Sequence, residues 1–90
     1  MTTYIITFEV GSEATRQKLR TLMKEYRRYC PIHKYCWAVM TEDEKAADIR
    51  TKLGAVLQPG DRIFVIRSGT AAAWKNSYGE KNNEWLKKNL

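Results

Sequence analysis

Cysteine, proline and histidine are scarce in this 90-residue chain, which has two cysteines, two prolines and one histidine. Acidic residues are also in the minority, at 10 against 16 lysines and arginines. Each shortage removes a class of protein. Two cysteines are too few for the disulfide framework of a small secreted domain. No apolar run exceeds strand length, which excludes a membrane-spanning helix. Met1-Thr2-Thr3 leads directly into a strand pattern, without the basic segment and apolar run of a secretory signal, so the expected location is the cytoplasm. No Ser/His/Asp set, glycine-rich phosphate loop or paired carboxylates are legible, which leaves catalysis without a recognisable motif.

The cysteines, Cys30 and Cys36, flank His33 in Cys-Pro-Ile-His-Lys-Tyr-Cys. If residues 31–36 run as one strand, the two sulfurs stand roughly 20 Å apart at about 3.3 Å per residue, too far to share an ion or a bond. His33 would also face the opposite side, so three ligands converge only where a tight turn intervenes. Structural thiols in a reducing compartment are the expectation.

The net charge of +6 favours polyanionic partners. Between Ser12 and Arg28 the chain carries Arg16, Lys18, Arg20, Lys24, Arg27 and Arg28 against Glu13 and Glu25, a basic excess expected on one helix. Such charges neutralise phosphates in a salt-dependent, sequence-independent way, or else form a solvated helix exterior. Lys34, Arg67 and Lys75 are the adjoining candidates. Trp37 is expected in the core, whereas Trp74, beside Lys75, is the best candidate for an exposed aromatic that stacks on bases.

The first strand, about Tyr4 to Val10, splits by alternation: Tyr4, Ile6, Phe8 and Val10 face one way, and Ile5, Thr7 and Glu9 the other. Ser12 is a good N-cap, and Leu19, Leu22, Met23 and Tyr26 follow at the spacing of one helical face. That helix is expected to end near Arg27 to Cys30, because Pro31 disfavours helical geometry at the residue before it. Residues 32–41 read as a short strand, a tight connection and a better strand from about Tyr35 to Met40. Thr41-Glu42-Asp43-Glu44 has the form of a capping box for a second helix with a buried stripe of Ala46, Ile49, Leu53 and Val56 or Leu57. After the Gln58-Pro59-Gly60-Asp61 turn, Arg62 to Arg67 is apolar on both faces, as a strand in the middle of a sheet would be. Residues 71–74 are an edge strand or a turn of helix, Ser77 to Asn83 is a polar loop, and Trp85, Leu86 and Leu90 make a short closing helix.

This order predicts an α+β fold, a ferredoxin-like βαββαβ sandwich in a single domain spanning 1–90, with a core of about 3–68 and a C-terminal extension over 69–90. In that arrangement the first and last core strands are expected at the centre and both helices on one face. The other face is then open in a monomer, which predicts a homodimer joined across it.

The chain resembles the small CRISPR-associated adaptation proteins called Cas-two, together with their non-CRISPR relatives and the VapD-like toxins. The likeness rests on a first strand ending in an acidic residue, Asp48 to Leu53, Asp61 to Ile66, Gly69, Trp74 and Trp85 to Leu90. It implies a symmetric dimer joined across the open sheet face, with the acidic residue that ends the first strand as candidate metal ligand or catalytic group. That position is Asp in the typical pattern and Glu9 here, a longer side chain that places its oxygens differently. Two symmetry-related Glu9 carboxylates holding Mg2+ or Mn2+ would orient a phosphate and activate water. Alternatively, Glu9 pairs with Arg62, Arg67 or a basic residue of a second copy. The leading expectation is a dimeric nucleic-acid-binding protein. A metal-dependent endonuclease acting on RNA or DNA through Glu9 stands beside it, as does a protein-interaction module such as a toxin, antitoxin or phage inhibitor.

Overall fold

The structure, a computed structural model, describes residues 1–69 and 80–89. Its elements in order are β1 (Thr2–Glu9), α1 (Glu13–Met23), β2 (Arg28–His33), β3 (Cys36–Thr41), α2 (Ala46–Gly54), β4 (Arg62–Arg67) and α3 (Glu80–Asn89). The strands form one antiparallel sheet in the order β2-β3-β1-β4, the topology of an α+β ferredoxin-like fold.

Alternation along β1 divides the molecule. Tyr4, Ile6 and Phe8 join Leu19, Met23, Tyr26, Trp37, Val39, Ile49 and Leu53 in the main core beneath α1 and α2. Ser12 caps α1 as its sequence predicts, its Oγ accepting from the Thr15 N–H at 3.1 Å. The helix is shorter than expected. It stops at Met23, and Arg27 and Arg28 lie beyond it, because the backbone must be extended by Arg28 to pair with Met40 of β3. Pro31 sits within β2 instead of preceding an extended segment. An edge strand tolerates it, since an N–H missing from the outer side leaves the ladder intact.

The second helix also starts later than its sequence signal. Thr41 closes β3 by pairing with Thr2, so the 41–44 box lies outside the helix. The Asp48 carboxylate supplies the cap instead, accepting from the Lys45 N–H at 2.8 Å. At the 58–61 turn Gly60 takes a φ of 88°, the left-handed conformation that a Pro-Gly type II turn requires. Asp61 accepts from Gln58 N–H at 2.8 Å and from Gly11 N–H at 3.0 Å, tying this turn to the β1–α1 connection.

Two expectations about the sheet fail. The last core strand, β4, is an edge strand, because β3 inserts between β1 and β2 and takes the second central place. Its Ile63 and Val65 pack on the core, but Phe64 is 59% exposed and Ile66 48% exposed on the other face. That other face is not wholly open either. Helix α3 lies over its β2–β3 side, where Leu86, Cys30 and Ala38 are buried with Ile5, Ile32 and Trp85 around them. Asn82 Nδ2 donates to Pro31 O at 2.8 Å and Thr3 Oγ1 donates to Asn89 O at 2.7 Å, holding both ends of the helix. Helix α3 also takes in Glu80 to Asn83, the second half of the expected polar loop. The residue 71–74 segment and Leu90 lie outside the described residues.

A tight turn at Lys34-Tyr35 joins β2 to β3, so 31–36 is not one strand. Cys30 pairs with Ala38 and Cys36 with His33, and both cysteines are buried and free. Burial raises both thiol pKa values, which suits packing better than reactivity.

Candidate nucleic-acid interface

The β2–β3 turn places its side chains against the start of α1. Phe8 N–H donates to Tyr35 O at 3.0 Å, which fixes the turn at the end of β1 from which α1 departs. Arg16 and Arg20, one helical turn apart, line a groove of about 360 Å³ together with Pro31, His33, Lys34 and Trp37. Four nitrogen-bearing side chains of basic type therefore surround an apolar floor. Trp37 is buried and stacks on the half-exposed Tyr29, with ring centroids 5.8 Å apart and planes 26° apart.

Arg16 is already engaged with an anion. Its Nη2 lies 2.6 Å from Glu13 Oε1 and its Nε 3.0 Å from Oε2, while Gln17 Nε2 donates to the same carboxylate at 3.0 Å. The Arg16 and Gln17 hydrogen bonds favour the ionised form and lower the Glu13 pKa to about 2; the Lys34 charge acts in the same direction more weakly. Arg16, a groove-lining residue, is thus paired with a carboxylate of its own helix that is not itself part of the groove lining.

The remaining predicted basic residues do not gather there. Lys18 is exposed elsewhere on α1, and Lys24 is its C-cap. Arg27 and Arg28 lie at the end of β2 remote from His33, and Arg67 lies on β4, at the opposite edge of the sheet. Lys75 and Trp74 fall outside the described residues. His33 is exposed and lines the groove. The missed signal is the His33-Lys34-Tyr35 run, which turns back between two strands that both carry apolar residues.

Glu9 proves to be exposed, at the rim of the sheet. As the last residue of β1 it pairs in register with Arg62, and its Oε1 lies 3.6 Å from Arg62 Nη1. With side chains 78% and 81% exposed, this contact contributes at most about 1 kcal/mol. Thr7, Glu9, Arg62 and Phe64 border a shallow concavity of about 400 Å³ beside the exposed part of β4. Within one chain Glu9 offers a single carboxylate facing a guanidinium, and among the described residues no three His, Cys, Asp or Glu side chains are grouped to hold a cation.

The fold and this geometry define a ferredoxin-like domain with a basic groove at one end. Its fold is similar to that of a hypothetical protein, TT1823, from Thermus thermophilus, with a TM-score of 0.67 and 17% identity over 84% of this chain and 93% of that one. No protein-family model and no curated protein matches the chain. No helix among the described residues is long and apolar enough to cross a membrane.

The Glu13 shift predicts a pH signature. Its folded pKa lies below the ordinary 4.5, so the Arg16 contact favours the folded state fully above that value and fades as pH falls toward about 2. Carboxyl NMR titration should give a Glu13 midpoint near 2 in the wild type and one well above it in Arg16→Met. Equal midpoints in the two proteins would show that Arg16 does not hold Glu13 in solution.

Proposed function

We propose that this chain is a dimeric nucleic-acid-binding protein of the Cas-two-like class. The observation that carries the proposal is the convergence of Arg16, Arg20, His33 and Lys34 on one groove at the end of the sheet. A net charge of +6 draws a polyanion toward the molecule, and the groove is where a phosphate backbone meets several donors at once. Contacts of this kind are to phosphate, so binding is sequence-independent and falls steeply with salt.

The dimer reading is supported by the exposed pair Phe64 and Ile66, which lies on the part of the sheet that α3 leaves uncovered. Glu9 and Arg62 stand beside these residues as one acid and one base, a combination that is self-complementary under twofold symmetry. The endonuclease reading needs the second Glu9 that such a dimer would bring. Binding through the groove does not need it.

Two measurements test the two halves of the proposal. In fluorescence anisotropy with a labelled oligonucleotide, Arg20→Gln combined with Lys34→Gln should weaken binding. It should also reduce the slope of log affinity against log salt by roughly 1.5–2, one counterion for each lost phosphate contact. An unchanged slope would rule out the groove. In sedimentation at micromolar concentration the wild type should behave as a dimer and Phe64→Asp as a monomer. A monomeric wild type, or a dimeric Phe64→Asp, would overturn the β1–β4 face as the interface.

A further inference from the structure

We infer that the groove and the neighbouring edge of β2 take unpaired nucleic acid, with phosphates on Arg16, Arg20, His33 and Lys34 and a base stacked at Tyr29. The inference rests on the nucleic-acid reading and specifies its ligand. Tyr29, Pro31 and Trp37 lie on the same face of the sheet, since Pro31 pairs with Trp37 and Tyr29 with Val39. Pro31 and Trp37 line the groove, and Trp37 carries the Tyr29 ring stacked on it, so the groove wall continues into an aromatic that is 38% exposed. A base laid on Tyr29 would extend an existing aromatic stack, and every base has a face suited to it.

The spacing agrees with a short single strand. Tyr29 to His33 covers at most about 13 Å at roughly 3.3 Å per residue, a length that spans two or so nucleotides. Among the described residues β2 is a sheet edge with no strand on its outer side, and only Asn82 of α3 is seen to bond it there, at Pro31 O. A duplex suits this surface less well. Its bases are stacked within and offer no face to Tyr29, and a groove of about 360 Å³ is of a size that encloses one small ligand group. The basic side chains also converge on that groove, whereas a rigid helix presents its phosphates along a line.

Binding would ask Arg16 to exchange Glu13 for a phosphate oxygen. Both are anionic oxygen pairs that a guanidinium meets with two parallel N–H donors, so the exchange keeps the Arg16 geometry already present.

The test compares a labelled single-stranded DNA of about 12 nucleotides, its RNA equivalent and the corresponding duplex by anisotropy at one salt concentration. The unpaired strands should bind at least tenfold more tightly than the duplex. Tyr29→Leu keeps apolar cover on Trp37 while removing the ring; it should weaken single-strand binding by at least about fivefold and leave duplex binding unchanged. Tyr29→Phe should bind as the wild type does. Equal affinity for duplex and single strand, or a Tyr29→Leu variant with unaltered single-strand binding, would overturn this inference and leave the nucleic-acid reading standing. Binding to none of the three would overturn both.

Discussion

The two ladders of β1 are the constraint on which the rest of the molecule depends. Hydrogen-bonded to β3 on one side and β4 on the other, β1 cannot slip by a residue without turning Tyr4, Ile6 and Phe8 out of the core. That register sends Glu9 to the rim opposite Arg62. It also sets the position of the β2–β3 turn, because the Phe8 N–H holds Tyr35 O at the end of the strand. Helix α1 begins four residues after Glu9, so its first turns meet Lys34 and His33 there. The basic groove follows from local connectivity at one end of a central strand.

Much of this fold is legible in the chain, for identifiable reasons. The alternation of β1, the Ser12 cap and the Ile49–Leu53 stripe are local signals, and local backbone geometry satisfies each of them. The central place assigned to the Arg62–Arg67 strand fails because apolar residues on both faces record what touches a strand, not its neighbours in the ladder. Phe64 and Ile66 are apolar and exposed, a combination that points to contact outside the single chain. Pro31, the local signal for the end of α1, does not set it. Pairing of Arg28 with Met40 decides it instead, and that is a long-range contact with no local mark.

The candidate site was legible only in part. Composition located a basic excess between Ser12 and Arg28, yet just Arg16 and Arg20 from that run reach the groove, joined by Lys34 from a different element. Early termination of α1 removes Arg27 from the helix on which the basic excess is expected. Glu9 reads as a charge within a strand, but the ladder makes it the last paired residue, exposed and facing Arg62. The less conspicuous features carry more chemistry. His33 and Tyr29 flank Pro31 on an edge strand, and only the folded sheet reveals that they share a surface with the arginines of α1.

Nucleic acid is proposed to enter at the α1 and β2–β3 end of the sheet. Amide NMR spectra recorded while adding a short single-stranded oligonucleotide test it most directly. Shifts should concentrate at Arg16, Arg20, Tyr29, His33 and Lys34 and spare Phe64 and Arg67. Shifts centred on Glu9 and Arg62, or spread evenly over the surface, would contradict it.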